Sequence, residues 1–240
     1  MTSVPATPTT TVDPGREDEF TSERHVYEPH KIGLPPLRPY VREVWRRREF
    51  AREMARTDLS SQHVTTAFGM LWLVLNPLLL AGVYFVLIDI LRSGSRGAGF
   101  FAHLMAGIFA YYFIADTLRL SVKSVTSGGR LILNTAFPRV LLPISAMLTA
   151  FFRFLPTLVI YAPVHLLAGL PINLNTLWVF PLIGMMVLFS TGMAMVVSAG
   201  QVYFRDLKNF LPYILRVWMY VTPVLYYAHE VPHGYNFLLV

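Results

Sequence analysis

Apolar residues in this chain gather into five long runs, at 68–91, 100–118, 140–170, 176–199 and 210–227. A helix that crosses a bilayer needs about 20 mostly apolar residues, within a range of roughly 17–25. All five runs qualify. The third is overlong and contains Pro143, Pro156 and Pro163, which predicts a kink or an interfacial first turn. The pattern predicts an all-α polytopic membrane protein with five spans. Ahead of the spans, residues 38–66 form a basic amphipathic stretch. Val41, Val44, Trp45, Ala51 and Ala55 share one helical face, and Arg42, Arg46 and Arg47 surround the polar side. This predicts a helix in the inner membrane interface, with Trp45 near the headgroups and Arg46 and Arg47 towards anionic lipid. An ordinary solvated charged helix is the alternative. Residues 1–37 are rich in Thr, Pro and acids and show no apolar period, so they read as a disordered cytoplasmic tail rather than a signal peptide.

Composition agrees. Of 240 residues, 54% are hydrophobic and 14% charged, with mean hydropathy +0.49. Soluble domains carry about 25% charged residues, so a soluble enzyme is disfavoured. The chain has no cysteine, which excludes disulfides, thiolate metal sites and thiol catalysis. Net charge is +6, but the basic residues alternate with apolar runs, a mark of membrane topology rather than of nucleic acid. Seven arginines, Arg38 to Arg56, lie just before the first run; Arg119, Lys123, Arg130 and Arg139 follow the second; Arg205 and Lys208 follow the fourth. The positive-inside rule then puts the N-terminus, the 119–139 connection and the 201–209 connection in the cytoplasm of a multi-pass cytoplasmic-membrane protein. Catalytic signatures are missing. There is no Walker A sequence and no H-E-x-x-H, and Asp89 and Asp116 sit near opposite ends of their spans. No catalytic, cofactor or metal residues are assigned.

Three segments carry more information. At the first membrane entry, Gly69, Trp72, Asn76 and Pro77 follow the basic helix. The 124–143 connection holds Gly128, Gly129, Leu131, Ile132 and Asn134, then Phe137, Pro138 and Arg139, an apolar turn too small to fold alone. It docks on lipid or on a soluble partner, or it is a plain loop. Third, Tyr203-Phe204-Arg205-Asp206-Leu207 stands one run before Thr222-Pro223-Val224-Leu225-Tyr226. In this order over 38–227, these segments resemble the ABC-2 transport permeases, in the branch that exports O-antigen, teichoic acid and other polysaccharides. With 17 Arg against 3 Lys, a hint of a GC-rich genome, the chain is also similar to mycobacterial exporters of lipid-linked galactan.

The resemblance implies a transport subunit that is not an enzyme. It would pair with a second copy of itself and with a cytoplasmic ATPase that binds ATP and Mg. Its substrate would be a lipid-linked polysaccharide, a cell-wall glycan precursor. Phe137, Pro138, Arg139, Arg205 and Asp206 would lie at the ATPase interface, and Trp45, Arg46, Arg47 and Trp72 at the membrane interface. The family has six spans, so a missing C-terminal span is expected after the apolar start at 234–240. The alternatives are a polytopic enzyme of envelope polysaccharide synthesis and a passive channel or scaffold.

The fifth run adds a stripe. Tyr213, Tyr220 and Tyr227 are spaced by seven, with Arg216 on the same face. Such a stripe suits a polysaccharide path, because rings stack on sugars and hydroxyls bond to them. The plainer reading is that Tyr213 and Tyr227 are interfacial anchors, leaving only Tyr220 deep. Arg153, halfway along the third run, needs a cavity, a carboxylate such as Asp116, or a route to the interface.

Overall fold

A computed structural model describes residues 37–61, 69–92, 97–128 and 137–227. The tail 1–36, Gly129 to Asn134 of the central connection, and the end 228–240 lie outside the described residues. Regular structure among the described residues is entirely helical. It comprises α1 (Leu37–Arg46), α2 (Arg48–Ser61), a 3-10 turn at Gly69–Leu71, α3 (Trp72–Arg92), α4 (Gly97–Ser127), α5 (Leu141–Leu167), a 3-10 turn at Leu174–Trp178, α6 (Val179–Tyr203) and α7 (Leu207–Val221).

Helices α3, α4, α5 and α6 are long and apolar enough to cross a membrane, so the chain is a multi-pass all-α membrane protein. The fifth run behaves differently. Only its first part is helical, in the 15-residue α7. At about 1.5 Å per residue α7 is roughly 22 Å long, short of a ~30 Å hydrocarbon core. It stops because Thr222 precedes Pro223, which disfavours helical backbone, and Thr222 is extended with ψ 145°.

α4 is the axle of the bundle. Half of its spanning window is buried, against 11% for α6. Leu104, Met105, Ile108, Phe109 and Phe113 of α4 form one core cluster with Met147, Ala150 and Phe154 of α5. On α6 the buried positions are Ser190, Ala194, Val197, Ser198 and Gln201. A small residue every fourth position lets two apolar helices approach closely, where lipid supplies no hydrophobic drive. α4 has 31 residues, about 46 Å, so roughly a third of it extends past the hydrocarbon core.

The basic amphipathic stretch is two helices. α1 ends at Arg46, and Phe50 N–H bonds to the Arg47 carbonyl at 3.0 Å across a tight turn. The face predicted to be continuous therefore divides. Val41 and Trp45 of α1 are exposed, whereas Ala51 and Ala55 of α2 are buried. α2 runs alongside the first half of α5. Ser145 Oγ lies 3.6 Å from Met54 Sδ, and Thr149 Oγ1 donates to the Ala55 carbonyl at 3.5 Å. Alanine at 51 and 55 is what permits this approach.

Ala55 is fully buried, so Ala55→Leu should wedge α2 away from α5. Overpacking of this kind costs about 1–3 kcal/mol. Thermal unfolding in detergent should show a lower midpoint for Ala55→Leu and an unchanged one for Val41→Leu on the exposed face of α1. Equal midpoints for the two variants would mean that α2 does not rest on α5.

Candidate functional site

The central connection leaves α4 at Gly128. Its N–H bonds to the Ser124 carbonyl at 3.2 Å, and an added Cβ would lie 3.0 Å from that carbonyl and 3.1 Å from Leu142 Cδ1. Only glycine fits without a shift. The chain is described again at Phe137, where a turn leads into α5 through Leu141 N–H to the Pro138 carbonyl at 3.0 Å and Leu142 N–H to the Arg139 carbonyl at 3.1 Å. Phe137 packs on Phe50 of α2, ring centroids 5.3 Å apart. Pro138 is buried and Phe137 half-buried within the chain, so Arg139 is the exposed member of the three.

Arg139, Val140 and Pro143 form one wall of a groove of about 280 Å³, and Met195, Ser198, Val202 and Tyr203 of α6 form the other. The connection from α6 to α7 thus begins beside the Phe137 turn. It is braced by Gln201, whose amide Nε2 donates to the Arg205 carbonyl at 2.8 Å while its Oε1 accepts from Lys208 N–H at 2.8 Å. Gln201 caps a donor that the start of α7 leaves unpaired. Sequence reasoning passed over it, although its spacing of four and seven to Arg205 and Lys208 was visible. Arg205 and Asp206 are exposed and form no ion pair with each other. Asp206 flanks the start of α7, where the helix dipole favours a carboxylate. Tyr203 and Phe204 beside them are 83% and 74% accessible, an aromatic patch without cover from this chain.

α7 packs on α4 through Leu211, Leu215 and Met219, and the Tyr111 hydroxyl donates to the Leu215 carbonyl. Its opposite face presents Tyr213, Arg216 and Tyr220, all exposed. The Tyr220 hydroxyl meets that of Tyr84 on α3 at 3.3 Å, so these two helices are neighbours. Tyr227 does not continue the stripe. The break at Thr222 and Pro223 turns it back onto α4, where its ring lies 4.6 Å from His103 and 5.5 Å from Phe100, centroid to centroid. Val224 enters the notch left by Gly107, where an added Cβ would lie 3.1 Å from Val224 Cγ1.

A charge cluster joins α4 and α5. Asp116 accepts from Arg119 at 3.2 Å and faces Arg153 at 3.8 Å. The carboxylate that Arg153 called for is therefore Asp116. Asp58 of α2 adds to the field around Arg153; burial pushes its carboxyl above the usual range, and Arg153 offsets part of that. Asp116 and Arg153 line a cavity of about 250 Å³ with Trp72, Asn76, Tyr112 and Thr157. Trp72 thus lines this cavity from the start of α3. Trp45 and Arg46 are exposed, Arg48 lies over the Trp45 ring at 5.1 Å, and Arg47 pairs with Glu43 at 3.2 Å.

No family model matches the chain. It is similar to two O-antigen export system permease proteins RfbA of Klebsiella pneumoniae, each 27% identical over 183 residues, which is 76% of this chain and 70% of the relative. It is also similar to the O-antigen export system permease protein RfbA of Myxococcus xanthus, 26% identical over 191 residues, which is 78% of this chain and 71% of the relative. These relatives are named as transport permeases, in keeping with a non-enzymatic transport subunit. The comparisons thus liken this multi-pass helical chain to permeases of O-antigen export systems.

Proposed function

We propose that this chain is the membrane permease subunit of an ABC exporter that moves a lipid-linked polysaccharide across the cytoplasmic membrane. A separate ATPase subunit would bind ATP and Mg and supply the work. The Lys/Arg pattern favours a cytoplasmic N-terminus, with the 137–140 turn and the 203–206 turn on the same side. One observation carries the coupling part: these two turns meet at a single groove, flanked by exposed Arg139, Tyr203 and Phe204. The Phe50 to Phe137 packing ties that groove to α2, so a push on the turn would be felt along α5 and the basic helices together. A second copy of the chain would complete the conduit, with Tyr213, Arg216 and Tyr220 of α7 facing the path. The narrower resemblance makes lipid-linked galactan the substrate to try first.

The coupling assignment predicts that single cysteines at Arg139 or Tyr203 crosslink to the ATPase subunit. The native chain has no cysteine, so each label is unique. Crosslinking no better than that from a cysteine at Thr10 in the acidic tail would remove both turns from the interface. The same purified subunit should hydrolyse no ATP until the ATPase is added; turnover by the subunit alone would overturn the division of labour. The conduit assignment predicts that Tyr220→Leu lowers glycan export about fivefold or more, the equivalent of one lost hydrogen bond. Protein level and ATPase assembly serve as controls. Normal export at normal expression would place Tyr220 against lipid or in ordinary packing.

A further inference from the structure

The outward face of α7 is divided lengthwise. Asn209, Tyr213, Arg216 and Tyr220 recur at spacings of four, three and four, which sets them in one row on a helix, and all four are exposed. Beside that row runs an apolar one of the same period, Phe210, Ile214 and Val217, 63%, 52% and 62% accessible. Leu211, Leu215 and Met219 on the opposite face already pack against α4, so both rows point away from the bundle.

Arg216 carries the charge of the polar row. At about 1.5 Å per residue it stands roughly 14 Å beyond the start of α7, near the middle of a ~30 Å hydrocarbon core. The contact with α3 agrees with that depth. Tyr220 is roughly 20 Å beyond the start of α7 and Tyr84 roughly 18 Å beyond the start of α3, and their hydroxyls meet at 3.3 Å. Arg216 is close enough to Tyr84 for its charge to act on that hydroxyl. Among the described residues, no carboxylate pairs with Arg216. A guanidinium at this depth calls for an anion or a wet path.

The two rows together narrow the anion. A neutral sugar chain would satisfy the tyrosines and leave the guanidinium without a counter-ion. A resident phospholipid brings a phosphate but holds it at the membrane surface, not at mid-depth. An amphiphile in transit meets both rows: a phosphate with a hydrocarbon chain on one side and sugar on the other. The phosphate would take two parallel N–H donors of Arg216, the first sugar would lie against Tyr220 and Tyr84, and the chain along Phe210, Ile214 and Val217.

We propose that Arg216 reads the phosphate that joins the glycan to its lipid, so that the face of α7 selects a lipid phosphate over a neutral lipid and over bulk phospholipid. The proposal rests on the conduit reading of α7, and the two fail separately. Lost export by Tyr220→Leu together with no phosphate selection removes the phosphate contact and keeps the conduit. Normal export by Tyr220→Leu removes the conduit itself.

The test uses full-length protein in dioleoyl-phosphatidylcholine nanodiscs. The probes are hexadecyl phosphate and hexadecanol, each with a diazirine beside the head end, and labelled peptides are counted by mass spectrometry after illumination. Label on 207–221 should be about tenfold or more higher with the phosphate, the scale of one hydrogen bond to a charged group. Arg216→Gln should bring the ratio close to one. Arg216→Lys keeps the charge but not the planar fork, and should lower the ratio by about half. Should Arg216→Gln not fold, that drop carries the test. Arg42→Gln on α1 removes the same charge elsewhere and should leave the ratio unchanged. Equal labelling by phosphate and alcohol in the native protein would overturn the proposal, and so would a ratio that neither Arg216 variant lowers. A ratio that collapses in dioleoyl-phosphatidylglycerol nanodiscs would assign Arg216 to bulk phospholipid and overturn it as well. If the native ratio is near one and Arg216→Gln splits the assembly into single copies, the anion is a carboxylate of a second copy and the proposal falls.

Discussion

Two alanines decide how the Arg-rich end of this protein is built. Ala51 and Ala55 let α2 lie against α5 closely enough for Thr149 to reach the Ala55 carbonyl. Larger residues would hold the helices apart. From that contact follow the Phe50 to Phe137 packing, the burial of Pro138 at the entry to α5, and the approach of Asp58 to Arg153. It also explains the overlong third run. The first three turns of α5 serve as a bed for α2, and Arg153 stands where that bed ends. The arginine is no isolated charge in hydrocarbon, because Asp116 meets it from α4.

Around this anchor the bundle is lopsided. α4 is enclosed by its neighbours, while most of α6 and one face of α7 remain uncovered. Lipid can cover Leu, Val and Phe at no cost, but it cannot satisfy Arg216 or the hydroxyl of Tyr213. The polar positions on the outer face of α7 are thus where a second chain, a wet path or the interface is required, and the apolar positions on α6 need none of these.

Much of this was legible in the sequence. Run length predicted five spans; four of the runs are helices long enough to cross a membrane, and the fifth is cut short at Thr222 and Pro223. The positions of Asp116 and Arg153 raised the question that their ion pair answers. The misses have physical causes. Helical periodicity assigns Val41, Trp45, Ala51 and Ala55 to one face, but a single turn at Arg47 rotates the second half onto α5. A spacing of seven joins Tyr220 to Tyr227 only if the helix continues, and Thr222 before Pro223 ends it. The small-residue stripe on α6 was hidden for another reason. Inside a membrane, buried and lipid-facing positions are equally apolar, so hydrophobicity does not report which face is packed.

The claim on which the account rests is that α2 is strapped to α5 rather than afloat on the membrane. The most direct measurement is oxidation of the double variant Met54→Cys/Ser145→Cys, the only thiols in the chain. Met54 Sδ and Ser145 Oγ are 3.6 Å apart and a cysteine sulfur sits one bond short of Met Sδ, so the account predicts disulfide formation with mild oxidant well above that of Met54→Cys paired with Val159→Cys near the far end of α5. Two thiols that each react with a maleimide but do not bridge would contradict it.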